Sequence, residues 1–362
     1  MICFMKQSVV SVLKTTPQTV LQDYNKLLHL ANYEKYLPKD IPTLLKLNLS
    51  WTLYYPGCST EPWQLEGTLK TLQEDGYDKL IPVENKTVVT KPVKGAELNK
   101  WLPILKKYGL SFTPLPTVEW ELYKPKAELL AMPKIFPEGH KIPKMFIGKN
   151  VVHFPTIKTH GHTTMTGAMK NAFGGLITEQ RHHCHKMIHE VLVDLLTIQK
   201  EIHPGMFAVM DGTVAGDGAG PRTMIPRITN FILASNDQVA IDAVSAKLMG
   251  YDPLKIPFIK IAHDKGLGCG DVDQLDIVGE DISGVNLHFS TYKSPVIAGD
   301  QLFRKGAFKF VEPLLFHTGL FKMCVFASEF YHDYMWYPTI GKRRIAEFNN
   351  TEWGKLFGRY PA

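Results

Sequence analysis

The stretch Val151-Val152-His153-Phe154-Pro155-Thr156-Ile157-Lys158-Thr159-His160-Gly161-His162-Thr163-Thr164-Met165-Thr166-Gly167-Ala168-Met169-Lys170-Asn171-Ala172-Phe173-Gly174-Gly175 reads as a short buried strand, a polar loop and a helix. Its apolar start delivers Lys158 and His160 into the loop; threonines then cap a helix that carries Lys170 and Asn171 and that the glycine pair stops. Where a strand end faces a helix N-terminus, backbone N–H groups, two ammonium groups and an imidazole can meet one anion. The alternative is a plain strand-to-helix turn with solvated lysines. So many titratable groups in so few residues favour a site.

Upstream, Ser8–Leu13 reads as a strand, Thr16-Pro17 opens a helix towards Tyr36, and Thr43–Leu49 reads as a second strand. This β-α-β opening predicts a parallel pair with a right-handed crossover. Lys46 and Asn48 leave one face of the second strand near its C-terminal end, where open α/β sheets bind ligands. The loop Tyr55–Thr60 runs into a helix from about Glu61, with Ser59 or Thr60 as cap; it is either an anion nest that includes Thr60 or simply a capped helix. A strand over Asp78–Val83 and a helix over Leu98–Tyr108 follow. Residues 110–147 carry Pro114, Pro116, Pro125, Pro133, Pro137 and Pro143 and read as an excursion across the sheet surface.

Downstream, Gln180–Ile202 reads as one long helix, with His182, His185 and His189 on one stripe; His185 and His189, at i and i+4, are candidate metal ligands. A His-Glu-x-x-His arrangement is missing, so a polar face near an anion competes with that reading. Met206–Asp211 reads as a strand ending in a carboxylate, before a glycine-rich loop, Gly212 to Arg222, that would hold a ligand with Asp211, Asp217, Arg222 and backbone amides. A wide turn built on Asp217 is the alternative. Asn230–Ala234 is a strand. Asn236-Asp237 caps a helix that Gly250 ends, and within it Asp242 needs a partner, Lys170, Lys158 or Arg222, unless it is solvated. Leu275–Gly279 is a late strand.

Composition sets the outer limits. The chain has 362 residues, 44% hydrophobic and 21% charged, enough for one large α/β domain or two closely packed lobes around one cleft. A net charge of +6 spread along the sequence biases it towards anionic partners without the clustered basic stripe of a nucleic-acid binder. The five cysteines are far apart and form no Cys-x-x-Cys pair, so no iron-sulfur motif is present and reduced thiols are expected. Met1–Lys6 lacks the pattern of an export signal, and the expectation is a cytoplasmic protein. Phe308–Tyr331 is rich in Phe, Leu and Met, with Glu312, His317, Lys322 and Glu329 interrupting and Pro313 suited to a first helical turn. The basic triplet Lys342-Arg343-Arg344 comes later. This reads as a core-packing helix and a wrapping tail, or as a peripheral membrane contact.

In order, Pro-Thr-Ile-Lys-Thr-His (155–160), Thr-Gly-Ala-Met-Lys-Asn-Ala-Phe-Gly-Gly (166–175), Asp-Gly-Thr-Val-Ala-Gly-Asp-Gly-Ala-Gly-Pro (211–221) and Ser-Asn-Asp-Gln-Val-Ala-Ile-Asp-Ala-Val (235–244) resemble the DUF362 family, from Lys46 to about Gly279. The family's name records no activity. Some members resemble iron-sulfur proteins through an added ferredoxin-like segment, for which this chain has no cysteines. The Lys158–Lys170 segment is also similar to the lactate racemase family, which implies proton or hydride movement at a hydroxy or keto acid.

These readings predict a mostly parallel sheet with flanking helices over residues 1–280 and a helical, aromatic extension over 281–362. The leading functional expectation is an enzyme of the isomerase, racemase or oxidoreductase kind acting on a small carboxylate- or phosphate-bearing molecule. His160, Lys158, Lys170 and Asp211 would carry the chemistry, and Lys46, Asn48, Thr60, Asn171, Asp217, Arg222 and Asp242 would bind substrate. A metal or redox-centre protein using the histidine-rich helix, and a non-catalytic membrane-associated or partner-binding module, are the alternatives.

Overall fold

In this computed structural model, residues 8–87, 89–304, 306, 310 and 320–361 are described. Strand β1 (Val9–Lys14) leads through α1 (Val20–Leu30) to β2 (Thr43–Lys46), and α2 (Pro62–Glu74) leads to β3 (Leu80–Glu84). Helices α3 (Pro92–Leu98) and α4 (Trp101–Lys107) precede the two-residue β4 (Thr113–Pro114). β5 (Trp120–Tyr123) and β6 (His140–Pro143) make a separate antiparallel pair, with α5 (Met132–Ile135) between them. Next come β7 (Asn150–His153), β8 (Thr156–His160), β9 (Thr164–Thr166) and α6 (Ala168–Leu176). A 3₁₀ run, Glu179–Met187, joins α6 to α7 (Ile188–Ile202). The hairpin β10 (Met206–Ala219) and β11 (Thr223–Ser235) is followed by α8 (Gln238–Met249), α9 (Pro257–Asp264) and β12 (Asp276–Gly279). Past residue 280 lie α10 (Pro295–Arg304), α11 (Phe321–Glu329), a π-helical turn Phe330–Gly341, α12 (Lys342–Asn349) and α13 (Glu352–Arg359).

The chain is α/β. Ten strands form one mostly parallel sheet in the order β12-β1-β11-β10-β7-β2-β3-β4, with β8 joined to β10 and β9 to β8. Only β11 and β9 pair antiparallel with their neighbours. One apolar core, with Leu44, Val151, Met210 and Leu233, packs against α6, α7, α8 and α9; a second, with Leu45, Val152, Val209 and Ile232, packs against α1 and α2. Alternate residues of the same strands feed the two cores, as a sheet covered on both faces requires. Helix α8 shows how local sequence fixes an end. The Asp237 carboxylate accepts from the N–H groups of Val239 and Ala240, and Gly250 ends the helix at φ 96°.

Three expectations change. β1 and β2 run in the same direction but do not pair, because β11, β10 and β7 lie between them; a β-α-β pattern gives direction and not adjacency. The helix expected over Leu98–Tyr108 is α4 and starts only at Trp101, since Leu98 ends α3 and Lys100 takes φ 61°. The glycine-rich stretch after Asp211 is a strand, since β10 continues to Ala219. Its glycines admit neighbours: a Cβ at Gly216 would overlap the Met224 sulfur, and one at Gly220 would overlap the Thr159 carbonyl oxygen.

Beyond residue 280 the chain packs back on the sheet. Trp353 donates to the Asn230 side-chain oxygen at 2.8 Å and lies 4.9 Å from Trp63, while Trp336 joins Trp51 and Tyr55. Glu312, Pro313 and His317 of the expected apolar helix, like Cys3 and the N-terminal residues 1–7, lie outside the described residues.

Candidate functional site

Strand β8 alternates. Thr156, Lys158 and His160 leave one face, and Ile157 and Thr159 the other. Helix α6 presents Gly167, Lys170, Asn171 and Gly174, spaced i, i+3, i+4 and i+7, on one stripe. These two faces, the C-terminal end of β2 with Lys46 and Asn48, and the β10–β11 turn with Arg222 enclose a cavity of about 500 Å³. The opposite wall comes from α10 and α11 and includes Val296, Ile297, Phe303, Phe321 and Val325.

The basic side chains in the lining are Lys46, Lys158, Lys170, Arg181, Arg222 and Arg304; the acids are Glu84 and Asp300. Lys46 is fully buried and bound at 2.8 Å to Glu84, and its ammonium also donates to the Leu47 carbonyl. It is therefore neutralised. Lys158 donates to the Cys58 carbonyl at 2.6 Å, and burial lowers its pKa to about 8. Among the described residues no acid acts on Lys170. Burial first, then Lys158 and Arg181, lower its pKa to about 7. Arg222 donates to Ser328 Oγ at 3.0 Å, leaves one terminal nitrogen without a partner, and is lowered to about 10 by burial.

His160 Nδ1 accepts the His162 backbone N–H at 3.1 Å, which puts its proton on Nε2. Burial, then Lys170 and the nearby imidazoles, hold its pKa well below 6.5. It is a neutral donor at physiological pH, while Lys170 is close to its own pKa there. Asn171 donates to the Lys46 carbonyl at 2.8 Å, and Asn48 donates to Thr156 at 3.2 Å.

Other expected members are elsewhere. The Asp211 carboxylate accepts from Tyr24 at 2.6 Å, Trp63 at 3.1 Å and Thr213, in the core beneath α1 and α2, so it does not orient His160. Asp217 pairs with Arg227 at 3.0 Å and accepts the Ser290 N–H, away from Arg222. Thr60 is bonded into the sheet, accepting from the Asn48 N–H and donating to the Phe154 carbonyl; the loop before it turns the Cys58 carbonyl, not amides, to Lys158. Its helix is capped at Glu61.

Among the described residues Asp242 meets no cation. Its oxygens accept the N–H groups of Ala168 and Met169 at 2.6 and 3.1 Å, so a carboxylate of the protein already fills the α6 N-terminus where an outside anion was expected. The cap residue is Gly167, not a threonine, because a Cβ there would overlap Asp242. The glycine pair does not stop α6 either. It lies inside the helix, where a Cβ on Gly175 would stand 3.1 Å from Lys46.

The histidine stripe also breaks. Three residues per turn in the 3₁₀ run set His182 and His185 one above the other, both lining the cavity, whereas His189 lies in α7 with its ring stacked 6.0 Å from Phe258. His185 instead stacks on His162, centroids 4.7 Å apart. Sequence reasoning passed over His162, Arg181, Asp300, Arg304 and His332. The one local signal was Asp300 and Arg304 at i, i+4, a spacing too common to single out.

A family model described as a domain of unknown function, DUF362, matches residues 43–247. The chain belongs to the DUF362 family. The DUF362 segment holds the cationic side of the cavity, from Lys46 to Arg222, while α10 and α11 lie beyond it. A thylakoid-associated protein of Synechocystis sp. is 31% identical over 124 residues, which are 32% of this chain and 37% of that protein. The chain thus matches little more than a third of that relative's length. A crystal structure of a Thermotoga maritima protein covers 73% of this chain and 61% of its own, at 13% identity and a TM-score of 0.36.

Proposed function

We propose that this DUF362 protein is an enzyme that holds a small carboxylate- or phosphate-bearing molecule in the cavity and exchanges a proton with it through Lys170. The observation that carries this reading is the charge balance around Lys170: an ammonium lining the cavity whose charged neighbours among the described residues are Lys158 and Arg181, in a hollow of ligand size. An anion would relieve that repulsion. Lys158 and Arg222 would grip it, His160 Nε2–H would donate to an oxygen of the substrate, and the apolar wall would cover its remainder. A neutral Lys170 could take a proton from a carbon or hydroxyl beside the anionic group.

Titration with inorganic phosphate and with pyruvate tests the binding half. Lys170→Met and Arg222→Met should each weaken one of these ligands by about tenfold or more, the worth of one charge-assisted hydrogen bond. Proton exchange is read by deuterium uptake into the bound keto acid. Wild-type affinity in both variants would end the proposal.

A second reading, peripheral membrane contact, rests on α11. Its inner face lines the cavity, while Met323, Phe326 and Tyr334 on and after it are 67%, 68% and 69% exposed; Lys322 adjoins Met323 in the chain, and Lys342 and Arg343, further on, are also exposed. The Synechocystis relative carries the description thylakoid-associated. Among the described residues no helix is long and apolar enough to cross a membrane. Flotation with anionic vesicles should be lost in a Met323→Glu, Phe326→Glu variant; equal flotation would reject the contact.

A further inference from the structure

We infer that His162, His185 and Asp300 form a binding site for a divalent transition-metal ion in the wall of the cavity. The three come from separate places: the β8–β9 turn, the 3₁₀ run and α10. Each offers one ligand atom, and these atoms all lie within 4.8 Å of one another. His162 Nε2 and Asp300 Oδ2 are 3.6 Å apart. Two such ligands on one tetrahedral ion stand about 3.4 Å apart, so this pair is already close to a shared ion, and the His185 nitrogen lies within 4.8 Å of both.

Two further features point to a ligand. His185 Nδ1 is buried with no hydrogen-bond partner, an arrangement that costs free energy unless something fills the gap. Asp300 is held by Arg304 Nε at 2.9 and 3.0 Å to its two oxygens, the kind of outer contact that fixes a ligating carboxylate. Imidazole donors select Fe2+, Co2+ or Zn2+ over Mg2+ or Ca2+. Two histidines and one carboxylate leave coordination positions free, and because all three residues line the cavity an oxygen of a bound anion can take one. Arg304 and Lys170 oppose a cation by their charge, so metal and anion should each tighten the other's binding. This is not the His185–His189 pair of the helix pattern, since His189 sits beside Phe258.

The site stands independently of the anion reading, because the metal can be titrated alone. Full-length protein, stripped with chelator and placed in buffer free of carboxylate and phosphate, is titrated with Co2+ while its visible d–d absorption is followed. The expected result is one Co2+ per chain, with affinity reduced at least tenfold in the His162→Gln, His185→Gln double variant and in Asp300→Asn, and retained in His189→Gln. Two variants altered at different elements guard against one failing to fold, which circular dichroism reports. Absence of saturable binding to the folded wild type overturns the inference, as does unchanged affinity in whichever of the two variants folds.

Discussion

At the scale of single residues, the contact between Gly167 and Asp242 does most to shape the site. It ties α8 to the start of α6 and so sets where Lys170 and Asn171 point. Gly167→Ala has to displace a carboxylate that is itself bonded to two amides, and should cost about 1–3 kcal/mol or more in urea unfolding. A change within error would show that the two helices yield easily. Lys158 and His160 were legible because strand alternation puts them on one face whatever surrounds them. The partner of Asp242 was not, since residues 168 and 242 are brought together only by packing, and a buried carboxylate can be met by amides as well as by cations.

At the scale of elements, α6 owes its position to a buried ion pair. Lys46 and Glu84 reach across from β2 to β3 beneath Gly174 and Gly175, which leave room for the lysine stem. Lys46→Met leaves the Glu84 charge buried with only the Leu49 and Asn85 N–H groups to meet it, a loss of about 3–5 kcal/mol. Adding Glu84→Gln, which removes the charge and keeps an oxygen to accept from one of those groups, should recover part of that loss, and a double variant no better than the single would refute the account. The sequence showed the strand and the glycines but assigned the glycines to a helix end, because a glycine pair signals a stop and close approach equally well. The same ambiguity turned β10 into a loop on paper. In the histidine-rich segment, helical periodicity was read at 3.6 residues per turn where the chain takes three, which separates His189 from His185.

For the whole molecule, burial makes stability depend on pH in two opposing ways. Burial lowers His140 and His203 to about 4 and His153 to about 3. The unfolded chain takes up those protons near pH 6.5 and the folded chain does not, so stability is lost as pH falls from about 6.5 towards 4. Asp211 and Asp242 are raised by burial to about 6 and 7. Their contribution is complete below the ordinary carboxylate range and is lost as pH rises through 6 and 7. The melting temperature should therefore fall on the acid side. The unfolding free energy of Asp242→Asn, taken relative to wild type, should shift in the variant's favour between about pH 5 and 8. A difference that stays constant over that range would mean Asp242 is not raised.

The cavity is a joint construction. The DUF362 segment supplies its lysines and Arg222, and the helices that follow in the chain supply a largely apolar cover that also carries Asp300 and Arg304. On the proposed reading, the first of these stretches would choose the head group and the second the tail attached to it. Exchanging residues 281–362 among relatives should then redirect selectivity for that tail, and should keep or abolish the proposed metal site according to whether an acid stands where Asp300 does.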